Sequence, residues 1–158
     1  MHIKIDQSPR IEDWGKHSVI AFSDDNKRAI IVTSQLKREA LAELEKRGKA
    51  RDTAKWIILA AGIFLLIQEV LSETTQITME LEFDEKTMYA LRNWLWQKIK
   101  RVSPHFDLDD IHCLPKKILK QDPAHQRAHE LAYGIFTGRI KPEGDIRVKR
   151  GALLALIK

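Results

Sequence analysis

The segment Trp56–Leu71, WIILAAGIFLLIQEVL, is apolar on nearly every side for about three helical turns, and it constrains everything around it. A helix with no polar face cannot lie on a protein surface. It belongs either in a bilayer or between other packed elements. A membrane span needs roughly 20 apolar residues, and here Gln68 and Glu69 break the run. The expected place is therefore the interior of a layered domain, with no membrane association. The 158 residues have the size of one domain and can bury such a core. No repeat, low-complexity tract or linker divides them, so one domain over residues 1–158 is expected.

The layers that could enclose this helix are legible on either side of it. His2–Asp6 alternates, with Ile3 and Ile5 on one face and Lys4 and Asp6 on the other. His17–Ser23 and Ala29–Thr33 are β-rich and flank Asp24-Asp25-Asn26, whose side chains favour a turn, so the pair predicts a hairpin. Ser34 is placed to cap a helix carrying Leu36, Ala40, Leu41 and Leu44. Gly48 ends that helix, and Asp52 or Thr53 is expected to cap the apolar one. Ile77–Asp84 alternates strictly, with Thr78, Glu80, Glu82 and Asp84 sharing the polar face.

Glu85–Val102 reads as an amphipathic helix on Met88, Leu91, Leu95 and Ile99, stopped by Ser103-Pro104. Trp94 and Trp96 read as packing residues of this helix, only one of them facing the core. Ile111–Leu114 is a short fifth strand. Asp122-Pro123 starts a last long helix that runs to about Thr137. The tail after Gly138 allows a strand or a helix, and its apolar end GALLALI is a candidate docking segment or homodimer contact. This order predicts an α/β fold: a mixed five-stranded sheet flanked by helices, antiparallel at its start and parallel later.

Composition narrows the chemistry. A single cysteine, Cys113, excludes an internal disulfide and a thiolate zinc cluster. It reads as a small buried residue, and a reducing, cytoplasmic setting is the natural expectation. The first residues lack a basic segment followed by an apolar one, so no signal peptide is expected there. A net charge of +5 and a pI near 9.3 favour polyanionic partners such as nucleic acid. Basic residues gather in three groups: Lys98, Lys100 and Arg101; Lys116, Lys117 and Lys120; and Arg139, Lys141, Arg147, Lys149 and Arg150. Such groups can hold phosphates, with binding that weakens as salt rises.

An acid on the first strand, a hairpin after it, and a second acidic strand resemble the ribonuclease H-like superfamily. The resemblance covers roughly residues 2–137. It rests on IKIDQS, HSVIAFSDDNKRAIIVTS, ITMELEFD and PAHQRAHELAYG in that order. It implies a nuclease that hydrolyses a phosphodiester bond in structured or hybrid nucleic acid with Mg or Mn. Such chemistry needs hard oxygen ligands converging on divalent cations about 4 Å apart. Asp6 and Glu82 are the expected ligands, with Asp84 the second choice on that strand and Glu80 a neighbour. His125 and His129 lie one turn apart on the last helix. His129, followed by Glu130, falls near the family's final ligand or general base, with His125 beside it. The family's ribonuclease H branch also carries a glutamate on its first helix. WIILAAGIFLL offers no acid before Glu69, so the resolvase-like branch is the closer match. A domain that kept the fold and lost catalysis, and now binds nucleic acid or serves as a scaffold, is the alternative.

Overall fold

The computed structural model describes residues 1–158. Strands β1 (His2–Ser8), β2 (Ser18–Ser23) and β3 (Lys27–Val32) come first, then helices α1 (Ser34–Lys46) and α2 (Arg51–Ile67). They are followed by β4 (Gln76–Glu80), α3 (Glu85–Val102), β5 (Ile111–Leu114), α4 (Lys116–Leu119), α5 (Pro123–Phe136) and α6 (Arg150–Ile157). The sheet order is β3-β2-β1-β4-β5. β1, β2 and β3 pair antiparallel, whereas β4 runs parallel to both β1 and β5. The chain is thus an α/β domain with a mixed five-stranded sheet and six helices.

Alternation along the strands decides which helices cover which face. Ile3, Ile5, Ile20, Phe22, Val32, Ile77 and Met79 point into the main core, beneath α1, α2, α3 and α6. Val19, Ala21 and Ala29 point the other way and meet Ala132 of α5. The apolar segment behaves as its lack of a polar face requires. α2 and the 3-10 turn that continues it to Glu73 would be long enough to cross a membrane, but the helix lies inside the domain, with Ile58, Leu59, Ile63, Leu66 and Ile67 buried. Each such side chain contributes roughly 1.5–3 kcal/mol of burial. Gly62 lets α2 approach the sheet, because a Cβ there would lie 2.7 Å from Ile20 Cδ1.

Several local expectations change. Thr33, one residue before the expected Ser34, caps α1 by accepting from the Leu36 N–H. Neither Asp52 nor Thr53 caps α2. The helix starts at Arg51 with Ala50 at the capping position and no side-chain cap. α1 ends in a Schellman motif: Gly48 takes φ +86°, its N–H bonds Glu45 O, and the Lys49 N–H bonds Leu44 O. β4 ends at Glu80, four residues short of the run of alternation. The basic group Lys116, Lys117 and Lys120 lies on and just after a short helix, α4, between β5 and α5. The tail forms α6, which packs on α1 and α2 and buries Leu153 and Ile157 in the chain's own core.

One buried cation supports the loop between β1 and β2. Lys37 of α1 is fully buried, and its Nζ donates to Asp13 O at 2.7 Å and Ser18 Oγ at 2.8 Å. Ser18 Oγ donates in turn to Arg10 O. Burial, opposed by Asp13 and Glu12, lowers the Lys37 ammonium to a pKa of about 8. Lys37→Met removes both donated bonds. Hydrogen exchange across residues 10–18 is expected to speed up roughly tenfold or more, while α1 stays protected. Unchanged exchange in the loop would show that Lys37 does not hold it.

Candidate metal centre and its cleft

Two parallel neighbours create the site. The register sets Ile5 of β1 opposite Met79 of β4, so the next residues, Asp6 and Glu80, lie side by side on the face opposite the main core. Past the end of β4 the chain turns toward α3 and brings Glu82 into the same space. Carboxylate oxygens of Asp6, Glu80 and Glu82 all lie within 4.8 Å of one another. Asp6 is buried, and the side chain of Glu82 is only 9% exposed.

Three acids this close repel one another. Burial, then the charges of Glu80 and Asp6, push the Glu82 carboxyl up to about 8, against a partial offset from Arg10 and Gln7. The nearest cationic compensation is loose, Arg10 Nε at 3.7 Å from Glu82 Oε2. Gln7 is buried, and its Oε1 accepts from the Ile11 N–H, while its Nε2 makes no hydrogen bond of normal geometry. Three converging hard oxygens without close cationic neutralisation suit Mg²⁺ or Mn²⁺ better than a softer ion.

Helix α5 closes the site from above. Asp122 caps it by accepting from the Ala124 and His125 N–H groups, with Pro123 at the first helical position. Lys4 of β1 meets Asp122 at 3.1 Å and fixes the start of the helix over the sheet. One turn apart, the two histidines have different fates. His129 is half-exposed, and its Nδ1 lies 2.7 Å from Asp6 Oδ2. His125 is buried, and its Nδ1 has no hydrogen-bond partner. Both line the cleft above the carboxylates.

The cleft encloses about 290 Å³ and has no hydrophobic residue in its wall. Carboxylates make its floor, and Arg10, Lys116 and Lys120 stand around it. Lys116 and Lys120 are one turn apart and form no ion pair. No protein-family model, curated protein or solved structure matches this chain.

The expected residues divide in consequence. Asp6, Glu82, His125 and His129 come together. Asp84 does not: it is the N-cap of α3, accepting from the Thr87 N–H at 2.7 Å, and the Thr87 hydroxyl together with that N–H holds its carboxyl below the usual range. Glu80, expected only as a neighbour, is a full member of the cluster. His129 lies outside the carboxylate cluster and bonds Asp6 instead. Of the basic groups, Lys98 and Lys100 lie over Trp94 and Trp96, both half-buried, while Arg147 pairs with Asp145. Only the Lys116–Lys120 group reaches the cleft. Arg10 and Gln126 also line it, and no sequence pattern marked either one. Arg10 lies in the loop after β1, so its place depends on the path of that loop.

Proposed function

We propose that this protein is a divalent-metal-dependent nuclease whose Mg²⁺ or Mn²⁺ is held by Asp6, Glu80 and Glu82. The reading is carried by one observation: three carboxylates, two from parallel neighbouring strands and one from the turn that follows β4, converge on the floor of a polar cleft ringed by basic side chains. The resemblance to the ribonuclease H-like superfamily supports it. That resemblance requires the first and fourth strands to be adjacent, and they are.

When bound, the metal supplies a lowered pKa for an attacking water and neutralises charge on the phosphate oxygens. The chain's own residues do the rest. Lys116, Lys120 and Arg10 bind non-bridging oxygens and hold the phosphodiester against the floor. His129, donating from Nδ1 to Asp6, keeps Nε2 as the acceptor for a proton from the attacking water. The bond from phosphorus to the leaving oxygen breaks as the new one forms, and that oxygen leaves with a proton from solvent. His125 and Gln126 bound the space on the helix side.

A second reading has an observation of its own. Beneath the acids, α2 presents Leu59 and Ile63, where the ribonuclease H branch carries its fourth acid. This favours a domain that binds nucleic acid without cleaving it. Labelled stem-loop, single-stranded and hybrid oligonucleotides, incubated with Mn²⁺ or with chelator, separate the two. Products that appear only with metal are expected. Salt-sensitive binding without products in Mn²⁺ would leave the binding reading alone.

A further inference from the structure

Helix α5 continues past the cleft with an aromatic edge. His129, Tyr133 and Phe136 stand at i, i+4 and i+7, on one side of the helix. Tyr133 is 48% exposed and Phe136 37%, while Ala128 and Ala132 on the other side are fully buried against the sheet. The rings of His129 and Tyr133 are nearly parallel, 6° apart in plane with centroids 6.1 Å apart. His129 is also the residue that touches Asp6, so this row of flat rings begins at the cleft. From His129 to Phe136 it runs about 10 Å along the helix.

A scattered exposed aromatic needs no explanation. Three rings in register, continuous with a polar cleft, are a different matter. Arg10, Lys116 and Lys120 stand at the cleft end of the row, and Arg139 follows the end of the helix. Flat π-faces beside cations are what a single nucleic-acid strand binds through its bases and its backbone. A duplex keeps its bases stacked internally and has no free π-face to offer.

We infer that Tyr133 and Phe136 form a stacking track for unpaired bases of a single-stranded nucleic acid whose backbone enters the cleft. The inference rests on the proposed nuclease reading and narrows its substrate to one with a single-stranded segment beside the cleavage point. Stacking is tolerant of sequence, so the track selects for strandedness and leaves base identity unread.

The test is fluorescence anisotropy at low salt with chelator present, using the full chain. A labelled mixed-sequence single strand, an abasic strand of equal length and a blunt duplex are the three probes. The Tyr133→Ala/Phe136→Ala double variant is expected to lose roughly 5- to 100-fold in affinity for the mixed strand. It should lose less than about threefold for the abasic strand and the duplex, whose contacts are with phosphates alone. Tyr133→Phe should restore mixed-strand binding, because the ring is kept. Equal losses on all three probes, no loss at all, or no strand binding by the wild type would overturn the track. So would a fall in light-scattering mass from dimer to monomer in the double variant, since the face would then join two copies of the chain. Metal-dependent cleavage is scored separately. If strand binding needs Tyr133 but no substrate is ever cut, the nuclease reading fails and the track remains.

Discussion

Asp6→Asn is expected to lower metal-dependent cleavage by roughly two to three orders of magnitude, the loss anticipated when several kcal/mol of charge stabilisation are removed. Asp6 has the most central position of the three acids. It comes from the middle strand of the sheet, is buried, and contacts both the carboxylate cluster and His129. The fold should survive, because asparagine keeps the shape and its Oδ1 still accepts from His129 Nδ1. Removing one of three mutually repelling charges should leave the melting temperature equal or higher. Cleavage rates in Mg²⁺ and Mn²⁺, with thermal unfolding alongside, check both halves. A variant that cuts at the wild-type rate would take Asp6 out of the mechanism, and a variant that unfolds would make it a structural acid.

The second large effect concerns stability in the absence of metal. In the unfolded chain Glu82 loses its proton near the ordinary value of 4.5, whereas in the folded chain it keeps it up to about 8. Below pH 4.5 both states hold the proton, between the two values only the folded state does, and above 8 neither does. Stability therefore falls as pH rises through that window, by at most about 1.4 kcal/mol per pH unit, and then levels off. Lys37 acts with the opposite sign in a higher window. Its ammonium loses a proton at about 8 when folded and at 10.5 when unfolded, so its contribution rises between those values. The metal-free protein should show a stability minimum near pH 8. Glu82→Gln should remove the fall below pH 8 and leave the variant more stable than wild type at pH 8 by upwards of about 1 kcal/mol. It should also lose the stabilisation that saturating Mn²⁺ confers on wild type, which is about 2.7 kcal/mol at a hundred times the dissociation constant. Calorimetry in chelator and in Mn²⁺ would measure both. A flat pH profile for wild type would mean that the Glu82 carboxyl is not held in its protonated form by the fold.

These effects depend on features that the sequence discloses unevenly. The periodic elements were readable because hydrophobic burial imposes the period. Ile3 and Ile5 against Lys4 and Asp6, the hairpin around Asp24-Asp25-Asn26, and the stripe Met88-Leu91-Leu95-Ile99 all follow from one apolar face meeting the core. The end of β4 was not readable. Alternation from Ile77 to Phe83 tells which side chains share a face, but a strand ends where its backbone partner ends. β5 is paired only as far as Leu114 opposite Glu80. Asp84 illustrates the same limit, since an acid ahead of a helix serves equally well as a strand residue or a cap until the chain's turn is known.

The site shows a similar division. Asp6, Glu82, His125 and His129, marked by residue type, strand face and the family resemblance, come together around one cleft. Glu80 joins Asp6 through the register between β1 and β4, which no local pattern encodes. Gln7 lies on β1 itself, whereas Arg10 reaches the cleft through the β1–β2 loop, which Lys37 bonds from a distance at Asp13 O and Ser18 Oγ. Long-range placement of this kind leaves no periodic trace. The different exposure of His125 and His129 also depends on how α5 crosses the sheet, since both sit on one helical side.

The C-terminal segment has a further consequence for how this molecule meets others of its kind. Before α6 begins, the chain runs along the outer edge of β3, where the Ile31 N–H donates to Ile146 O and the Val148 N–H donates to Ile31 O. Arg150 then reaches Glu39 of α1 at 2.6 Å and secures the segment. An open strand edge is a template on which foreign chains can grow. Here the protein's own tail occupies that template, and an incoming strand would have to peel away residues 145–149. The opposite edge, β5, offers only four residues. The sheet is stoppered at one end and cut short at the other, so neither edge offers a long free strand on which a second molecule could extend it.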